Sequence, residues 1–334
     1  MQRPIGQRFD DPDQLFNWLH EVMIGVPAMH FAVSSGLSAR LLDGPATVAE
    51  LARKLSLPEE KLGRVVAYLA AHELLEADGS GTIHATARTA RIQEWGGVWQ
   101  QAINTMAAGA ELGAALRSGK TAFEQKFGHP VFEYFAADPA LAGRFAEFMA
   151  FMTARTADFV VGTHRFEPFE TVADIGGSSG ALLMRVLEAY PGTRGILFDL
   201  PNVVKQAASA IDASACAGKI ELVGGSFFEE VPAADLYLLK QVLHDWTDEE
   251  CVRILGAVRR AIAPGGRLAV IDHILSETPA PTEAQSTDLA MMIWATGRER
   301  KLSDFEGLFA ASGFELARVS ENPSGHSVIE AVPA

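Results

Sequence analysis

Cysteine is almost missing from this chain: Cys216 and Cys251 are the only two, far apart and without a CxxC pair. That argues against a disulfide framework or a structural zinc site, leaves two free buried thiols, and points to a reducing compartment. Basic residues are also short, 28 against 42 acidic ones, for a net charge of −14. Broad nucleic-acid binding needs clustered Lys and Arg to neutralise phosphates, and they are not here. No stretch offers the ~20 apolar residues of a membrane span. The opening residues, MQRPIGQRFDDPDQ, carry no apolar signal-peptide region, so a cytoplasmic protein is expected. Tyr and Trp number 4 and 5 against 19 Phe, a balance that suits an apolar pocket. Internal repeats and low-complexity tracts are absent.

At 334 residues the chain exceeds what one core usually supports, so two domains are expected. Helical spacing of Leu15, Phe16, Leu19, Val22, Met23 and Val26 opens the first, over residues 1–95. Thr47 and Glu50 fit a capping box, Pro58 fits the first turn of the next helix, and Gly79 to Gly81 fits a wing turn. Together they outline a winged helix-turn-helix, read either as a DNA reader or as a dimer-packing module. The second helix offers only Lys61 and Arg64 against Glu59, Glu60 and Glu73, which favours packing. Residues 96–165 read as a helical linker dense in Phe and Met. Its Met149 and Met152, close to the next domain, suit an aromatic acceptor as well as they suit ordinary core.

From residue 166 to 334 apolar strand runs alternate with helical ones: TVADI, GILFDL, KIELVGG, ADLYLL and RLAVID, then GFELARVS and SVIEAV as a hairpin around Asn322, Pro323, Ser324 and Gly325. This is the signature of an α/β, doubly wound, Rossmann-like, mostly parallel sheet of seven strands. Its first turn, TVADIGGSSG, places Asp174 and Gly176 where the backbone approaches a ligand closely. A P-loop would need Gly-Lys-Ser/Thr, and Gly180 is followed by Ala181 and Leu182. A dinucleotide turn would need a middle glycine where Ser178 stands. Asp199 lies about 20 residues on, where an acid accepts ribose hydroxyls. A ribose-bearing cofactor without phosphate, such as S-adenosyl-L-methionine, reconciles these features.

The winged-helix outline, together with FMTAR, VADIGGSSG, FDLPNVV, GGSFFEEVP, LLKQVLHDWTDEE, APGGRLAVID and TGRERKLSDFEGLF, resembles the class I S-adenosylmethionine-dependent O-methyltransferases. The resemblance is to the dimeric plant caffeate/flavonoid type and to bacterial natural-product enzymes, and it covers nearly the whole chain. It implies methyl transfer to a hydroxyl of a small aromatic acceptor, S-adenosyl-L-homocysteine as product, and a homodimer through residues 1–95. It also implies roles. Thr153, Asp174 and Gly176 would surround the methionyl part, Asp199 the ribose, and Leu200, Ser226, Phe227 and Lys240 the adenine. Ser226 departs from the family's usual acid.

His244 matches the general base, with Asp272 and Glu299 as its flanking acids. Asp245 and Trp246 would position the substrate, and Met291, Met292 and Trp294 join Met149 and Met152 as acceptor contacts. No metal is expected, since the histidine–acid set replaces a cation that would acidify the hydroxyl. A phenol near pKa ~10 facing a histidine near ~6.5 leaves roughly 5 kcal/mol to be found. His164 and His273 have no identifiable partner in the sequence. Two alternatives stay open: a regulator with a cofactor-sensing domain, and the same fold with N-methylation or a non-methylating reaction.

Overall fold

The computed structural model describes residues 11–322 and 325–334. Pro323 and Ser324 of the expected hairpin turn lie outside the described residues. The chain divides into two compact units: one runs through residue 106 and takes back 140–148, and the other holds 107–139 and 149–334. The segment 96–165 is thus shared between them.

The first unit is mainly helical. Its helices are α1 (Pro12–Ser34), α2 (Leu37–Asp43), α3 (Val48–Leu55), α4 (Glu59–Ala71) and α5 (Ala87–Glu94). Its small sheet pairs β1 (Ala46–Thr47), β2 (Leu75–Ala77) and β3 (Thr82–Ala85) in the order β1-β3-β2, all antiparallel. Thr47 caps α3 through the expected reciprocal box with Glu50. Pro58 is the residue before α4 rather than inside its first turn, its extended ψ of 125° ending the preceding loop. Leu41, Leu51, Leu62, Val66 and Leu69 fill the core. On α1, Phe16, Leu19, Val22, Met23 and Ile24 remain exposed. No single described helix is long and apolar enough to cross a membrane; α1 and α2 reach such length only as a pair bent by 58°.

Helix α6 (Gly96–Gly109) is followed by α7 (Leu112–Ser118), α8 (Ala122–Phe127), α9 (Val131–Ala137) and the long α10 (Pro139–Thr163). The second unit is then built on seven strands: β4 (Thr171–Ile175), β5 (Arg194–Asp199), β6 (Ile220–Gly224), β7 (Leu236–Lys240), β8 (Arg267–Asp272), β9 (Phe314–Ser320) and β10 (Ser327–Pro333). Their order is β6-β5-β4-β7-β8-β10-β9, parallel except that β10 runs against both neighbours. Helices α11 (Ala181–Ala189), α12 (Pro201–Asp212), α13 (Asp248–Ala261), α14 (Glu283–Trp294) and α15 (Leu302–Ala311) complete it.

The central strands are mostly apolar because both faces are covered, with the polar exceptions Asp174, Lys240 and Asp272 toward their carboxyl ends. In β7 the side chains alternate: Tyr237 and Leu239 enter one core with Ile254 and Phe309, while Leu236 and Leu238 enter the other with Leu183 and Val186. Truncating such a side chain, for example Leu238→Ala, should cost about 2–5 kcal/mol. The order reverses between β4 and β7, and the crevice beyond the carboxyl ends of these two strands is where an open α/β sheet receives ligands.

Candidate active site

Beyond β4 the backbone turns at Gly176, with φ of +70°, and Gly176 N–H donates to the Phe198 carbonyl at 2.8 Å. A Cβ on Gly177 would lie 2.5 Å from Leu197 Cδ1 and 2.7 Å from Asp174 Cγ, so only glycine closes this turn over the aspartate. A small cleft opens there, lined by Met149, Thr153, Asp174, Gly176, Ser178 and Lys240 among others. Asp174 is buried, its Oδ2 has no partner, and burial pushes its carboxyl up to about 7, with Asp199 adding and Lys240 opposing. Lys240 is pulled down to about 8 by burial, against the attraction of Asp272, Asp174 and Asp245. An orphaned buried oxygen and a buried ammonium, the latter donating to Gln241 Oε1, are of a kind that fits an amino acid's two charges.

At the end of β5, Asp199 accepts from Ser178 N–H at 2.9 Å through Oδ2 and from Leu200 N–H at 2.7 Å through Oδ1. Each oxygen keeps a lone pair for a ribose hydroxyl, so the donor set fits a ribose-bearing cofactor. Leu200 is 45% exposed, as an apolar wall for an adenine ring would be before the ring arrives. Ser226 caps the turn after β6, its Oγ accepting from Phe228 N–H at 3.3 Å. Phe227 packs edge-on to Trp246 at 5.9 Å and would lie 3.8 Å from a Cβ on Gly176.

The chain leaves β7 through Gln241, whose φ is +52°, and enters a single 3-10 turn, Leu243–Asp245. That turn delivers His244 to Glu299, with Nδ1 2.8 Å from Oε1, and leaves Nε2 3.7 Å from Asp245 Oδ1. Glu299 is itself set by its N–H, which donates to Asp288 Oδ1 at 3.1 Å. Burial disfavours the imidazolium, but the carboxylates of Asp245 and Glu299, with Asp272 beyond them, outweigh it and push His244 up to about 10. Burial raises Asp245 to about 6 and Asp272 to about 7, in both cases against the pull of His244.

Glu299 therefore sits where the sequence placed a flanking acid. Asp272 is held within electrostatic reach of His244, but both its oxygens are buried without a hydrogen-bond partner. Asp245 makes the second close approach to the imidazole. All the orphaned buried side-chain atoms among the described residues belong to Asp174, Asp272, Glu299 and His326. Among the described residues no His/Cys/Asp/Glu group has metal-binding geometry.

The acceptor-side residues are less uniform. Met149 lines the glycine-turn cleft, and Thr153 beside it already donates its hydroxyl to the Met149 carbonyl at 2.7 Å. Trp294 stacks on Phe123 at 5.0 Å and on Phe135 at 6.3 Å, within an aromatic cluster of α8, α9 and α14. Met291 is buried whereas Met292, next on the same helix, is 44% exposed, because consecutive helical residues point apart.

The O-methyltransferase domain family matches residues 110–315. Phenazine O-methyltransferase PhzM of Lysobacter antibioticus is 35% identical over 313 residues, 92% of either chain. The chain belongs to the O-methyltransferase family. The crystal structure of LaPhzM superposes on this methyltransferase with a TM-score of 0.85 at 33% identity, covering 96% of this chain and 99% of that one. An O-methyltransferase of neocarzinostatin biosynthesis, NcsB1, solved with S-adenosylmethionine and 2-hydroxy-5-methyl naphthoic acid, gives 0.76 at 26% identity over 93% and 96% of the two chains. S-adenosylmethionine is accordingly the cofactor of this methyltransferase.

Sequence reasoning gave His164 and His273 no partners. In the methyltransferase His164 pairs with Glu330, 166 residues away, at 2.7 Å. His273 stacks on buried His326 at 4.1 Å between ring centroids, and His326 Nδ1 lies 2.9 Å from Thr156 Oγ1. No local spacing could have joined residues so distant in the chain.

Proposed function

We propose that the enzyme methylates a phenolic hydroxyl of a small aromatic natural product, with His244 as general base and Glu299 as the acid that orients it. The observation that carries this reading is the 2.8 Å bond from His244 Nδ1 to Glu299, which leaves Nε2 as the ring nitrogen free to meet an acceptor. When bound, S-adenosylmethionine supplies an activated methyl group and a positive charge. Thr153, Asp174 and Gly176 would hold its methionyl part, Asp199 its ribose, and Leu200, Ser226 and Phe227 its adenine; Lys240, expected at the adenine, lines the cleft of Thr153 and Asp174 and would serve the methionyl end instead.

The residues then have two tasks. One is alignment of the acceptor oxygen, for which Asp245, Met149, Met152, Met291, Met292 and Trp294 are the candidate contacts. The other is proton removal. An ordinary histidine falls roughly 5 kcal/mol short of a phenol, but an imidazole raised to about 10 is matched to it, so the transfer costs little. Because His244 must be free of its proton, or equivalently the phenol must enter as phenolate, kcat/KM should rise with pH from neutrality toward about 10.

The exposed apolar face of α1 supports a homodimer built through the first unit, and two free buried cysteines fit a cytoplasmic enzyme. Mass spectrometry of a library of phenols and aromatic amines incubated with enzyme and S-adenosylmethionine tests the acceptor. A gain of one methylene on oxygen is expected; methylation confined to nitrogen, or product without a methyl group, would sink the reading.

A further inference from the structure

Directly after Glu299 stands Arg300, only 1% exposed and foremost in volume among the fully buried side chains described. A buried guanidinium is costly unless its donors are met. Nη1 donates to the Leu243 carbonyl at 2.7 Å and Nη2 to the Trp246 carbonyl at 2.9 Å. Nε and Nη2 reach Asp248 Oδ1 at 3.0 and 2.7 Å. The Asp248 side chain is itself 53% exposed, so charge pairing alone would not have drawn the arginine inside. The two carbonyls do, and they bracket His244 and Asp245.

That bracketed turn is held by long bonds of its own and by the weak Cys251 thiol donor, whose Sγ lies 3.2 Å from the Leu243 carbonyl and 3.6 Å from that of Trp246. Its backbone bonds, Asp245 N–H to Val242 and Trp246 N–H to Leu243, are 3.2 and 3.3 Å, and it follows a non-glycine residue in the left-handed region. Residues 297–300 supply what it lacks. A Cβ on Gly297 would lie 2.2 Å from the His244 carbonyl oxygen and 2.3 Å from Trp246 N, and Gly297 N–H donates to the Asp245 carbonyl at 3.1 Å. The same segment is anchored behind: the Arg300 carbonyl accepts from Leu275 N–H at 2.9 Å, and Glu299 N–H reaches Asp288. One short stretch therefore holds the imidazole through Glu299 and the backbone that carries it through Arg300. A planar guanidinium fork, unlike a lysine, can hold both carbonyls in a fixed relation.

We propose that Arg300 is a positioning residue: by gripping the Leu243 and Trp246 carbonyls it sets His244 against Glu299, and the rate depends on it through His244. This rests on the reading of His244 as base. The test is kcat and KM for both substrates in Arg300→Lys and Asp248→Ala, each made alone and together with His244→Ala. Arg300→Lys should lower kcat about 10–10²-fold and Asp248→Ala about 3–10-fold, with either KM within about threefold of wild type. In the His244→Ala background neither should lower the residual rate more than about twofold. Equal losses in both backgrounds, or wild-type kcat in both single variants, would overturn the positioning role while leaving the base intact. Near-wild-type turnover by His244→Ala alone would overturn the base, and the positioning role with it. Asp248, being exposed, decides the matter if Arg300→Lys does not fold.

Discussion

His244 meets Glu299 at 2.8 Å through Nδ1, and His164 meets Glu330 at 2.7 Å through Nε2; all four side chains are buried. Around Glu330 every remaining need is met. Arg267 Nη1 lies 2.5 Å from Oε1, Arg318 Nη2 lies 2.9 Å from Oε2, and the other ring nitrogen of His164 is 2.9 Å from Ser320 Oγ. Against the cost of burial, these bonds hold Glu330 down at about 2. Around Glu299 the reverse holds: among the described residues its Oε2 and both oxygens of Asp272 are unpartnered, and no arginine is bonded to the pair. The same two residue types thus make a closed strut in one place and, at the proposed base, a pair with lone pairs left over in the other. What separates the strut from the proposed base is whether the leftover lone pairs are satisfied.

The contrast can be broken most forcefully at the strut. Glu330→Gln should cost about 3 kcal/mol in denaturant unfolding, because two arginines and a histidine lose one buried anion, while kcat of the folded fraction stays unchanged; a large fall in kcat would put chemistry at the strut. The strut's contribution is present above the ordinary glutamate range and is lost as pH falls toward about 2. Glu299→Gln should behave oppositely. Stability should fall less than at the strut, since the Glu299 carboxylate holds one side-chain partner where Glu330 holds three, but kcat should fall about 10–10²-fold. Removing a neighbouring carboxylate lowers the histidine's pKa, so the rising limb of the pH–rate profile should move to lower pH; an unmoved limb would deny Glu299 its electrostatic part.

A third contrast lies at Asp272. Its folded carboxyl is raised to about 7, so its neutral form is favoured and stability is lost as pH climbs from the ordinary aspartate range through that value. Asp272→Asn should therefore be more stable than wild type at pH 8 and indistinguishable from it at pH 4, as read by denaturant melts. Equal stability at pH 8 would mean that a partner satisfies the carboxylate.

Much of the parallel sheet was legible because burial on both faces leaves continuous apolar runs such as residues 236–239. The cofactor turn and the sequence neighbourhoods of His244 and Glu299 were legible as motifs. What the sequence withheld is what depends on long-range pairing. Glu330 as the partner of His164 could not be read from spacing, nor could the stacking of His273 on His326. Arg300 stands inside a motif visible in the sequence, yet its acceptors are backbone carbonyls, which carry no residue identity. That Asp272 would come close to His244 without bonding to anything depends on side-chain packing, which a motif does not encode.

The central claim, that a glutamate-oriented His244 takes the acceptor's proton, is met most directly by single-turnover methyl transfer from isotopically labelled S-adenosylmethionine, comparing wild type with His244→Ala while titrating S-adenosylhomocysteine binding. A loss of roughly 10²–10⁴-fold in transfer, with product affinity within about threefold of wild type, is the expected result. Transfer at nearly the wild-type rate would contradict it.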